Sequence, residues 1–207
     1  MSTDIYGGIE FRHPGAGTDY YDGEPWVAAM DLWPLYDETD YASFGCLFGV
    51  RNDAGFRPLA AGRGLPPDLS GGLRTQLEPW AEAGELHGAT WVSWGEIAGL
   101  DPASAPGHYA GRLTWSAESL PSRLNQRLVP GRWPPEVLAE VGPPPAGLDR
   151  SAGPSEWRSG GLRCRYEPLT AGVLLGPGSA WSHVFAVMKA LAGRYGDEAV
   201  RLVVAFD

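Results

Sequence analysis

Three arginines, Arg51, Arg57 and Arg63, follow one another at six-residue intervals in a stretch dense in glycine and proline, residues 44–70, with Arg74 just beyond. A guanidinium is a planar fork that holds a phosphate or carboxylate through two parallel hydrogen bonds. Asp68 or Ser70 is placed to cap a helix, and the first N–H groups of that helix would face the same anion. A second set of reactive types lies near the N-terminus. In Asp4–Arg12 the apolar residues Ile5, Ile9 and Phe11 alternate with Asp4, Tyr6, Glu10 and Arg12, so a regular strand puts the polar set on one face. Asp4 and Glu10 would serve as acid and base, His87 as proton shuttle, and Tyr6 and Trp91 as ligand contacts. The competing structural reading makes the strand's polar face a solvated one and pairs the arginines with surface acids.

Other chemistries find less support. There is no Gly-x-Ser-x-Gly elbow and no Walker A loop, and the glycine-containing GAGTDYYDG stretch lacks a strand–turn–helix setting. Cys46 could pair with His87 as a nucleophile, but it sits in an apolar run, where a thiol is inert. Cys46 and Cys164 have no metal-ligand spacing, and His13, His87, His108 and His183 are scattered. No metal is expected and no cofactor is specified.

The composition sets wider bounds. The 207 residues are 43% hydrophobic with nine tryptophans, enough for a core in a single domain. Net charge is −9, and all the basic residues but Lys189 are arginine. That balance argues against binding to a nucleic-acid backbone. No apolar run approaches the roughly 20 residues of a membrane helix, and Asp4 and Glu10 interrupt the N-terminus as a signal peptide. The expectation is a cytoplasmic protein; its oligomeric state is not legible.

These residues need elements to hold them. Residues 26–35 read as a strand ended by Pro34. Thr39 or Asp40 caps a short helix carrying Phe44, Leu47 and Phe48, and the helix after Ser70 runs to about Ala83, weakened by Pro79. Thr90–Ser93 is extended, and Ser93-x-x-Glu96 is a capping box opening a brief helix. Residues 103–170 are rich in proline and glycine and read as a long loop-rich insertion, with a helix near Ala117–Leu128, a strand at Leu162–Tyr166, and exposed tryptophans. Trp181, Val184, Phe185, Met188, Leu191 and Tyr195 recur at helical spacing before Gly196, and Ala199–Phe206 is an inner strand, apolar on both faces. The class is α+β, a mixed sheet with helices mainly on one face and the irregular insertion at 103–170.

The segments TDIYGGIE, FGVRN, RGLPPDLS, HGATWVSWGEI and VRLVVAFD occur in that order. Their succession resembles an uncharacterised family found in bacteriophage, prophage and actinobacterial genomes, whose members carry an N-terminal Asp-Ile-His motif, Arg-Gly-Leu-Pro-x-Asp-x-Ser and a C-terminal strand ending in Phe-Asp. The resemblance implies that Asp4, Glu10, Arg63, Asp68, His87 and Trp91 occupy motif positions. It implies no activity. Tyr6 stands where the family has histidine, which removes one donor of an Asp-x-His metal pair.

Two function classes remain. In the first, the protein binds a small anionic ligand, a nucleotide or phosphorylated metabolite, on Arg51, Arg57 and Arg63, with acid/base catalysis as an extension. In the second, it is a noncatalytic interaction module that offers acidic and aromatic surface to a protein partner. A pocket joining Asp4, Glu10, Arg63 and His87 would favour the first.

Overall fold

In a computed structural model, which describes residues 3–148 and 153–207, the chain runs β1 (Ile5–Arg12), β2 (Trp26–Asp31), α1 (Tyr41–Phe48), α2 (Gly71–Glu82), β3 (His87–Ser93), α3 (Trp94–Ala98), β4 (Gly111–Ala117), β5 (Asn125–Val129), α4 (Pro135–Val141), β6 (Ser155–Ser159), β7 (Leu162–Pro168), α5 (Ala171–Leu175), α6 (Ser182–Tyr195) and β8 (Val200–Phe206), with a short 3-10 turn at Asp197–Ala199. The α+β class holds. Pairing among the described residues is antiparallel throughout, so the expected mixed sheet is instead two antiparallel ones, ordered β2-β1-β8-β3 and β5-β4-β7-β6.

The first sheet is built on β8. Every residue of that strand is buried, because it lies between β1 and β3 and both of its faces are covered. Leu202, Val204 and Phe206 point into the larger core with Phe44, Phe48, Trp181 and Met188 of α1 and α6. Val203 and Ala205 point the other way, onto Leu69, Leu73 and Leu77 beneath α2. Among the described residues, α1, α3, α5 and α6 thus pack on one face of this sheet and α2 on the other. The polar face of β1 is not solvated as an edge strand's would be: β1 is an inner strand, and α2 packs over it. Gly8 allows that approach, since a Cβ there would meet Leu73 Cδ2 at 2.9 Å. Gly7 has φ +137° and a Cβ there would sit 2.0 Å from the Val203 carbonyl oxygen.

The second sheet overturns the loop reading of 103–170. In place of a helix near Ala117–Leu128, β4 ends at Ala117 and returns as β5. The expected strand at Leu162–Tyr166 is present as β7, whereas β4, β5 and β6 were not legible because polar residues interrupt every apolar run in them. Leu113, Trp115, Cys164 and Tyr166 face Trp133 and the α4 residues Val137 and Val141. Alternation sends Arg112, Thr114, Arg165 and Glu167 to the opposite face. Trp115 and Trp133 are therefore core residues at 5% and 4% exposure, and the exposed tryptophans expected here lie elsewhere, at Trp33 and Trp80. No helix among the described residues is long and apolar enough to cross a membrane.

Local capping follows the sequence closely. Asp40 accepts from the Ala42 N–H, Ser70 caps α2, and Ser93 with Glu96 forms a reciprocal box.

Candidate functional site

The residues singled out from the sequence do not share a pocket. Glu10 is fully buried and both its oxygens are engaged: Oε1 accepts from the Ser70 N–H at 2.7 Å and Oε2 from Arg201 Nε at 2.8 Å. Arg201 also donates to Asp68 Oδ1 at 2.9 Å and lies 3.8 Å over the Trp26 ring. This cluster ties β1, β8 and the start of α2 together, so Glu10 is a structural group and not an acid or base open to substrate. The N-terminus of α2 is largely engaged from within the chain. Glu10 takes the Ser70 N–H, Glu24 takes the Gly71 N–H at 2.7 Å, and Ser70 Oγ takes the Leu73 N–H.

The three arginines are dispersed. Arg63 holds Glu96 through both terminal nitrogens, at 2.6 and 2.9 Å, and lies 5.0 Å over the Trp91 ring. That makes Arg63 and Trp91 a brace between the loop and α3. Arg51 donates to Thr3 Oγ1 at 2.9 Å and has φ 51°, while Arg57 is exposed. Asp4, Tyr6 and His87 lie at the far end of the first sheet from Glu10: Tyr6 Oη donates to Asp207 Oδ2 at 3.2 Å, the Asp4 N–H donates to Asp207 Oδ1 at 2.6 Å, and His87 pairs with Phe206. Among the described residues no group of three or more histidines, cysteines and carboxylates is placed to hold a metal. Burial pushes the Cys46 thiol up to about 12, with Asp40 adding to the shift, so there is no thiolate at neutral pH to act as a nucleophile.

The Arg63 bond pulls the Glu96 carboxyl below its ordinary 4.5; burial opposes the shift and the Ser93 N–H assists it. A depressed carboxyl contributes stability above its unfolded-state value, and that contribution is lost as pH falls through the folded value. Urea midpoints are therefore expected to fall below pH 4.5, and Glu96→Gln to flatten that fall while costing up to about 1 kcal/mol at pH 7. An unchanged acid limb in the variant would refute the assignment.

The concave site lies at the seam between the two halves. A cleft of ≈ 470 Å³ is walled by the Tyr36–Asp40 segment ahead of α1, by the charged face of β4 and β7, and by the Pro177–Trp181 segment leading into α6. Its charges form a chain. Arg112 Nη2 donates to Asp40 Oδ1 at 2.9 Å, Arg112 Nη1 stands 3.9 Å from Glu167 Oε2, and Arg165 Nη2 is 3.3 Å from Glu167 Oε1. The Asp40–Arg112 pair also forms part of the wall of a second cleft, ≈ 560 Å³, which reaches Arg51 and Arg127. Tyr36 and Glu38 continue into a third, ≈ 300 Å³, that reaches Asp4 and Tyr6. Asp4, Tyr6 and Arg51 thus border this connected groove, whereas Glu10, Arg57, Arg63, His87 and Trp91 do not line it.

Among the described residues, two buried polar atoms of residues in the wall of the first cleft, Arg112 Nε and Ser179 Oγ, have no hydrogen-bond partner, while the buried Tyr36 Oη interacts with the Ser43 hydroxyl. All three can donate. All three atoms are shielded from solvent, although Arg112 keeps 21% of its side chain exposed and Ser179 sits on the loop entering α6. Burial pushes the Tyr36 hydroxyl up to about 12, with Ser43 offsetting part of the shift, so the phenol stays a donor across the physiological range. The helix behind Ser179 has no side-chain cap at its N-cap residue, Trp181.

Sequence reasoning passed over these residues. Asp40 was legible as a cap and Ser179 as part of a turn before a helix, but neither role signals a site. Arg112, Arg165 and Glu167 had one available signal, their period-two placement against Leu113, Cys164 and Tyr166. Comparison with known proteins finds no matching family model, curated protein or solved structure.

Proposed function

We propose that this protein binds a small ligand through an anionic group in the cleft between its two sheets. One observation carries the reading: Arg112 Nε and Ser179 Oγ, buried donors of two residues that line one cleft, have no hydrogen-bond partner among the described residues. A buried unpaired donor costs about 1–3 kcal/mol, so two beside one cavity favour an occupant that supplies acceptors. The cavity volume lies within the ~300–1,000 Å³ of small-molecule sites. Phosphate and carboxylate both suit an arginine fork. The site differs from the Arg51–Arg57–Arg63 stretch, whose members do not converge, and no reaction is assigned to it.

Thermal-shift screening against nucleotides, sugar phosphates and small carboxylates tests this reading. Stabilisation by members of one class is expected, with affinity reduced tenfold or more in Arg112→Gln and in Ser179→Ala variants that remain folded. Equal affinity in both variants would remove the cleft as the site. A second reading, a noncatalytic interaction module, draws on the apolar surface around the edge strand β2, where Met30, Trp33 and Trp80 are exposed at 41%, 79% and 49%. It becomes primary if no small anion shifts the melting temperature.

A further inference from the structure

We infer that the ligand of this cleft is a zwitterion, an α-amino acid or dipeptide with an apolar side chain, and not a phosphorylated compound. The inference rests on the small-ligand reading above and narrows it.

The cleft is lined by three carboxylates, Glu38, Asp40 and Glu167, and two guanidiniums, Arg112 and Arg165. Asp40 and Glu167 are each engaged by an arginine. Glu38 is not: it makes no salt bridge or hydrogen bond among the described residues, and it borders all three connected clefts. The wall therefore offers groups of opposite sense. Arg112 Nε and Ser179 Oγ lack acceptor oxygens, and the solvent-exposed Glu38 carboxylate is open to a ligand cation. A carboxylate and an ammonium on one small molecule answer both. A phosphate dianion would satisfy the donors but add its charge to a wall whose three carboxylates already outnumber its two guanidiniums. Between the polar groups, Val173, Leu174, Pro177 and Ala180 line the cleft with apolar surface, which suits an aliphatic side chain.

The test is calorimetric titration of the full chain with L-leucine and leucyl-leucine, and with three probes that each lack one feature: N-acetyl-leucine, which has no ammonium; leucinamide, which has no carboxylate; and inorganic phosphate. A zwitterion is expected to bind at least tenfold more tightly than either single-charge analogue, since each analogue forfeits the charge-assisted hydrogen bonds at one end. Glu38→Gln, a change at an exposed side chain, is expected to weaken leucine about tenfold and leave N-acetyl-leucine unchanged. Ser179→Ala is expected to weaken leucine and N-acetyl-leucine together and leave leucinamide unchanged. Binding of N-acetyl-leucine or phosphate as tight as that of leucine overturns the zwitterion and leaves an anion site standing. Binding of none of the probes overturns the zwitterion, and the anion-panel screen then decides the wider reading by itself.

Discussion

Arg201→Met is expected to lower unfolding stability by about 3–5 kcal/mol, the range for removing one partner of a buried ion pair. Arg201 is 4% exposed and Glu10 is fully buried. Without the guanidinium, Glu10 keeps the Ser70 N–H but loses its countercharge, and Asp68 loses bonds to both its side chain and its carbonyl oxygen. The Trp26 ring loses the cation stacked 3.8 Å above it. The cost is mostly that of a stranded charge, so it can be recovered in part. The double variant Arg201→Met, Glu10→Gln should be more stable than Arg201→Met alone, because it removes the uncompensated carboxylate. Urea denaturation of wild type, both single variants and the double variant measures the coupling. A loss below about 1 kcal/mol for Arg201→Met would mean that the cluster is solvated and contributes little.

Trp181→Ala is the other large effect, expected at about 3–5 kcal/mol. The side chain is 1% exposed, its ring centre is 4.2 Å from that of Tyr36, and it also packs on Phe48 and Phe185. Its Nε1 donates to Ser43 Oγ at 2.9 Å, which fixes α6 against α1. Truncation opens a cavity at the start of α6 and removes the surface that holds Tyr36 in the cleft wall. Trp181→Phe keeps most of the packing and should cost less than the alanine change, losing the Ser43 bond at about 1 kcal/mol together with part of the ring volume. Chemical denaturation gives the energies and near-ultraviolet circular dichroism reports the aromatic cluster. Alanine and phenylalanine variants of equal stability would contradict the packing account. Because Trp181 borders the cleft, ligand affinity should fall further in the alanine variant than in the phenylalanine one.

Interactions that close within a few residues were legible in the chain, apart from the choice between Thr39 and Asp40 and between Asp68 and Ser70, and so was one global feature. Asp40, Ser70 and Ser93 are caps because a side-chain oxygen there reaches an N–H two or three positions on, whatever the rest of the fold does. The strand β8 was legible as an inner strand because apolar residues on both faces leave no side for water. Tertiary structure decided the rest, and above all the charges. Arg63 meets Glu96 and Arg201 meets Glu10 across 33 and 191 residues, and neither composition nor spacing says which carboxylate an arginine will find. The second sheet was hidden for a related reason. Its strands bury only one face, so their mean hydropathy resembles that of a loop until β4 and β7 pair and α4 covers the apolar side. That pairing aligns Arg112 with Glu167 and Thr114 with Arg165, and packing against the first half brings Arg112 onto Asp40. The cleft exists only where those two long-range events meet, so no local pattern announces it.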